Sequence, residues 1–203
     1  MSATGDVNTP PLPPSPYANI HLSGHVIAAD SITVAAAAVR VRDSSRLATA
    51  WIADCGQYGS EAVPTPSRVT GRNDLLIAAL RAMSKAVQAL RKDHADEDVV
   101  LLCGDAEAAK FARLWLEGQP VCPEGYVLDR SGGKLSSLEW LLAELGEYPE
   151  SYRVIDVAAG TGLEGAAWQV AALTARAARR ELGRDELREA AALAAEAALE
   201  AQA

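Results

Sequence analysis

The stretch HVIAADSITVAAAAVRVRDSSRLATAWI, residues 25–52, decides the fold class. His25 to Ala29 is a short apolar run that ends at Asp30. Ser31–Ile32–Thr33–Val34 and an alanine run lead into Val39–Arg40–Val41–Arg42, where apolar and basic residues alternate with the period of two expected of a half-buried strand. Asp43–Ser44–Ser45 supplies turn chemistry, and Arg46 to Ile52 reads as the returning strand. The chain is therefore expected to open its folded part as an antiparallel meander, with Asp30 inside the first strand.

Downstream the pattern changes period. Residues 53–69, with two glycines and two prolines, read as loop. Leu76, Leu80, Met83, Val87 and Leu90 then recur at spacings of three and four, the apolar stripe of an amphipathic helix headed by Asp74. Val99 to Cys103 is a short buried strand ending at Gly104–Asp105, and Ala106 to Glu117 reads as the next helix. Ser136 and Glu139 form a capping box that opens a helix over Leu138 to Leu145. Tyr152 to Val157 is the last strand, and Gly160–Thr161–Gly162 turns it into a long helix broken near Gly183. Early hairpins followed by strand–helix alternation predict a mixed α/β sheet domain over 18–182. Before it lies a proline-rich arm, residues 1–17, which holds five of the ten prolines. After it comes an acidic, alanine-rich helical extension over 183–203, a surface on which a protein partner could dock.

Composition sets the outer limits. The 203 residues are 49% hydrophobic and 23% charged, with a mean hydropathy of +0.01, which suits one globular domain with extensions. A bilayer span needs about 18–20 consecutive apolar residues and none is present, so no membrane role is expected. The first residues lack a basic region followed by an apolar one, and three widely spaced cysteines fit neither a disulfide framework nor a zinc site; a cytoplasmic location is the expectation. Half of the net charge of −8 falls after residue 180, yet the remainder is still acidic. Nucleic-acid binding would thus depend on a local basic patch. Arg72, Arg81, Lys85 and Lys110 are the candidates, on the first long helix and the next one.

Three acids make the most informative constellation: Asp30, Asp74 and Asp105. If the first and fourth strands are neighbours, Asp30 and Asp105 share one end of the sheet and the helix carries Asp74 towards them. Carboxylates gathered that closely repel one another and stay ionised only around a divalent cation, Mg²⁺ or Mn²⁺. Two such ions would activate water and stabilise the leaving oxygen of a phosphodiester. Each acid also has an ordinary structural role open to it, as helix-terminal charge, N-cap or solvated strand residue.

The runs HVIAADSITVAAAAVRVRDSSRLATAW, TGRNDLLIAALRAM, DVVLLCGDAEAA and YRVIDVAAGTGLEGAAWQVAALTARAAR resemble the ribonuclease H-like superfamily, nearest its reverse-transcriptase-associated, plant-like branch. The resemblance covers roughly residues 20–180. It implies a five-stranded mixed sheet with flanking helices, and two-metal hydrolysis of the RNA strand of an RNA–DNA hybrid. Asp30 and Asp105 match the first- and fourth-strand aspartates, Asp74 stands where the family carries a helix glutamate, and Glu164 is the acid nearest the family's last ligand. Ala167 occupies that last position, and Ala159–Gly160–Thr161–Gly162 replaces the loop that bears the family's histidine. Two functions follow. One is a metal-dependent nuclease with Asp30, Asp74, Asp105 and Glu164 at its centre; the other is a catalytically inactive module of the same fold that binds nucleic acid or a protein partner. Val154 to Gly162 also looks like the glycine-rich motif of S-adenosylmethionine-dependent methyltransferases, but that fold needs further strands after it and only helical sequence follows.

Overall fold

The computed structural model describes residues 31–65, 72–124 and 136–201, with Arg72 described by its backbone only. Strand β1 (Ile32–Arg40) pairs antiparallel with β2 (Arg46–Ala53), and β2 pairs antiparallel with β3 (Tyr58–Pro64). After helix α1 (Arg72–Asp93) the chain returns as β4 (Val99–Cys103), parallel to β1 on its other side. Helices α2 (Ala106–Leu116) and α3 (Ser137–Glu147) and one 3₁₀ turn (Pro149–Ser151) lead to β5 (Tyr152–Asp156), parallel to β4. Two further helices, α4 (Gly162–Ala178) and α5 (Arg184–Glu200), follow. The result is a five-stranded mixed sheet in the order β3-β2-β1-β4-β5, flanked by helices. Among the described residues no helix is long and apolar enough to cross a membrane.

Period-two alternation sorts the strands onto two faces. Ile32, Val34, Ala36, Val99, Leu101, Cys103, Tyr152 and Val154 pack against α1, α2 and α3, with Leu80, Met83, Leu90, Trp115 and Leu141 filling the layer. Ala35, Ala37, Ala50, Ile52, Val100, Leu102 and Ile155 form the opposite face, which meets α4 and, beyond it, Ala191 and Ala195 of α5. The capping box at the head of α3 is formed: the Glu139 backbone N–H donates to Ser136 Oγ, and Glu139 Oε2 accepts the Ser136 N–H at 2.8 Å.

One expectation changes. Residues 58–64, read as loop, form edge strand β3. Its glycine and proline hide it in the sequence, and both have structural reasons. A Cβ at Gly59 would stand 2.7 Å from Trp51 Nε1, so the indole across the ladder occupies that space. Pro64 ends an edge strand, where a missing N–H costs no ladder bond. β1 is described from Ile32; the apolar run His25–Ala29, Asp30 and the proline-rich arm lie outside the described residues.

Candidate functional site

β1 and β4 run parallel with Ile32 level with Val99 and Ala36 level with Cys103. The amino end of β1 is therefore level with the amino end of β4, whereas Asp105 follows the carboxyl end of β4. The β1 residues nearest the Asp105 end are Ala36 and the alanines after it, which carry no ligand atoms. Asp30, the acid anticipated beside Asp105, lies outside the described residues.

Asp105 is the N-cap of α2: its Oδ1 accepts the backbone N–H groups of Glu107 (3.1 Å) and Ala108 (3.0 Å). These are two of the donors that a helix start leaves without partners. Asp74 sits in the first turn of α1 and is 2% exposed. Its carboxylate is gripped by Arg40, Nη1 to Oδ2 at 2.8 Å and Nη2 to Oδ1 at 2.5 Å, a two-pronged pair. Arg40 was not anticipated from the sequence as the partner of Asp74. The signal was available: Arg40 is in phase with Ile32, Val34 and Ala36, so its side chain leaves β1 on the face that α1 covers. One position before Asp74, Asn73 points elsewhere, its Nδ2 donating to the Glu124 carbonyl at 3.2 Å. Adjacent helical residues are turned by about 100°, so Asn73 and Asp74 face different neighbours.

Glu164, in the first turn of α4, is 4% exposed. β4 leads to α2 on one face and β5 leads to α4 on the other, and adjacent parallel strands that diverge this way leave a crevice at their carboxyl ends. Glu164 fills it. Its Oε1 lies 2.5 Å from where a Cβ on Gly104 would be, and its Oε2 accepts the Gly160 N–H at 2.5 Å. Burial pushes the Glu164 carboxyl above its usual value, with the Gly160 N–H opposing that rise. Cys103, at the end of β4, has its thiol pushed up to about 12 by burial, opposed by a hydrogen bond with the Asp105 backbone and reinforced by the charges of Asp105, Glu164 and Asp156. A thiol so raised is no nucleophile at neutral pH.

Asp105 and Glu164 are thus brought to neighbouring positions at the end of β4, while the Asp74 carboxylate is held by β1. Among the described residues, no group of three or more His, Cys, Asp or Glu side chains is placed to hold a metal ion. Of the three expected ligands, Asp74 is paired with the Arg40 guanidinium, Asp105 spends one oxygen on a helix cap, and Asp30 lies outside the described residues.

The basic candidates are dispersed. Arg81 Nε pairs with Glu61 of β3 at 3.0 Å, and Lys110 Nζ lies 3.9 Å from Glu107. Lys85 makes no ion pair among the described residues, and the Arg72 side chain lies outside them. An open cleft of about 320 Å³ does adjoin Asp105, lined by Asn73 and Leu76 of α1, Glu107 and Phe111 of α2, and Pro123 and Glu124 beyond it. Compared with protein-family models, with curated proteins and with solved structures, the chain gives no match.

Proposed function

We propose that this chain is a non-catalytic module of ribonuclease H-like layout whose function is to bind a protein partner. The five-stranded mixed sheet with helices on both faces is compatible with that layout. The observation that carries the non-catalytic reading is the Arg40–Asp74 pair. A carboxylate that is to hold Mg²⁺ or Mn²⁺ must offer its lone pairs to the ion, and here the half-exposed Arg40 guanidinium donates to both oxygens of the buried Asp74 carboxylate. A protein partner is favoured over nucleic acid because Arg81 is committed to Glu61 and the net charge is −8. Phosphate binding gains its affinity from clustered uncommitted cations.

The test is cleavage of a labelled RNA–DNA hybrid in Mg²⁺ and then in Mn²⁺, with Asp30→Asn and Asp105→Asn alongside the native protein. The expected result is no metal-dependent cleavage by any of the three. Cleavage by the native protein that needs the metal and is lost in both variants would establish the nuclease instead.

A further inference from the structure

We infer that the cleft between α1 and α2 is a docking site for an arginine-bearing segment of a protein partner; this rests on the protein-binding reading above and gives it a location and a chemistry. Asn73 and Leu76 are three apart on α1, and Glu107 and Phe111 four apart on α2, so each helix presents one polar and one apolar side chain to the same space. The third wall is fixed in place. Trp115 Nε1 donates to the Val121 carbonyl at 2.8 Å, and Asn73 Nδ2 donates to the Glu124 carbonyl, which pins the segment after α2 at both ends.

Charge selects the occupant. Three acidic residues, Asp105, Glu107 and Glu124, line this space and no basic residue does, the ammonium of Lys110 lying 3.9 Å from Glu107. Asp105 uses only Oδ1 for its cap, and Glu124 has no cation within salt-bridge distance among the described residues. A guanidinium matches what is left: its planar fork suits a carboxylate, and its face stacks on an aromatic ring such as Phe111. The volume, near the lower end of the usual range for ligand sites, suits one long side chain with the backbone beside it. Leu76, Phe111 and Pro123 provide apolar contact for the methylene stem.

The experiment uses the full chain and a fluorescein-labelled peptide with two arginines among leucines, read by anisotropy. A second peptide carries citrulline, the neutral isostere, in place of each arginine. The arginine peptide is expected to bind at least tenfold more tightly than the citrulline one. The double variant Glu107→Gln/Glu124→Gln should weaken the arginine peptide at least fivefold and leave the citrulline peptide unchanged. Glu196→Gln/Glu200→Gln on α5 removes the same charge from a distant surface and should change binding less than twofold. Equal weakening by both double variants would mean diffuse acidity and overturn the site, as would a native protein that does not distinguish the two peptides. Hybrid cleavage measured on the same preparation separates the two ideas. Cleavage overturns the non-catalytic reading, whereas peptide failure without cleavage overturns the cleft alone.

Discussion

Arg40 and Asp74 show how one residue changes the meaning of another. An aspartate heading an amphipathic helix after three strands invites a ligand role, yet its effect depends on what stands across from it on β1. Removing a carboxylate from water costs several kcal/mol, and only a well-placed partner returns that energy. Breaking a fully buried pair costs about 3–5 kcal/mol; with the Arg40 side chain 50% exposed, Arg40→Met should cost about 2–3 kcal/mol. In a chain of this size that lowers Tm by roughly 4–12 °C, readable by thermal denaturation. The double variant Arg40→Met/Asp74→Leu should return to within about 1 kcal/mol of the native protein, because no charge is then left unpaired. A double variant no better than Arg40→Met alone would show that the pair is not the source of the loss.

Glu164 carries a pH dependence whose sign follows from its environment. Burial raises its carboxyl above the ordinary value of 4.5, so the folded chain binds that proton more tightly than the unfolded one. Stability then falls as pH rises from 4.5 through the raised folded value, and the cost of burying the charge is fully present above it. Glu164→Gln keeps an oxygen for the Gly160 N–H but has no charge to bury. Its Tm is expected to exceed the native value at pH 7, and the difference should shrink to nothing by about pH 4. A difference independent of pH would mean that the carboxylate is not penalised by its burial.

At the scale of elements, those with strong periodicity were readable. The 3–4 stripe located α1, the apolar run Val99–Cys103 located β4, and the capping box located the start of α3. Edge strand β3 was not readable, since its contents are set by the Trp51 indole across the ladder and not by local propensity. The direction of Asp74 was hidden for a similar reason: helical spacing gives the stripe, but which polar neighbour turns to β1 depends on the crossing of α1 over the sheet. Register mattered most. Nothing in the strand sequences says that Ile32 sits beside Val99, yet that pairing decides which β1 residues meet Asp105.

The glycine-rich connection from β5 to α4 was legible as a strand-to-helix turn, and its glycines have separate duties. Gly160 has φ +79°, a region costly for other residues, whereas a Cβ on Gly165 would lie 2.5 Å from the Gly160 carbonyl oxygen. Helix propensity alone predicts that Gly165→Ala gains about 1 kcal/mol. The contact is with backbone and cannot relax by turning a side chain, so a packing cost of about 1–3 kcal/mol should prevail. The expected outcome is a Tm lower by a few degrees, and an increase would show that the turn can move aside.

Across the whole molecule the two faces of the sheet are packed by different means. The face under α1, α2 and α3 is filled with Leu, Met, Trp and Tyr. On the opposite face, alanines from β1, β2, α4 and α5 make up most of the layer, and Ala167 and Ala171 have no exposed surface. Small side chains let a helix lie close to the sheet, so the second layer is held by proximity of backbones more than by side-chain volume. Here also the alanine-rich α5, weak as an isolated apolar stripe, finds its place against α4 through Ala191 and Ala195. The two faces should answer opposite substitutions. Leu80→Ala, on the first face, opens a cavity and should cost about 2–5 kcal/mol. For Ala171→Leu, transfer of three carbons out of water at ~0.8 kcal/mol each predicts a gain of about 2.4 kcal/mol. A close-packed layer has no room for them, and the overpacking cost of about 1–3 kcal/mol adds to forfeited burial elsewhere as α4 is pushed off the sheet. Ala171→Leu is therefore expected to be destabilising, with a lower midpoint in urea. A midpoint at or above that of the native protein would show that α4 can rise from the sheet without loss.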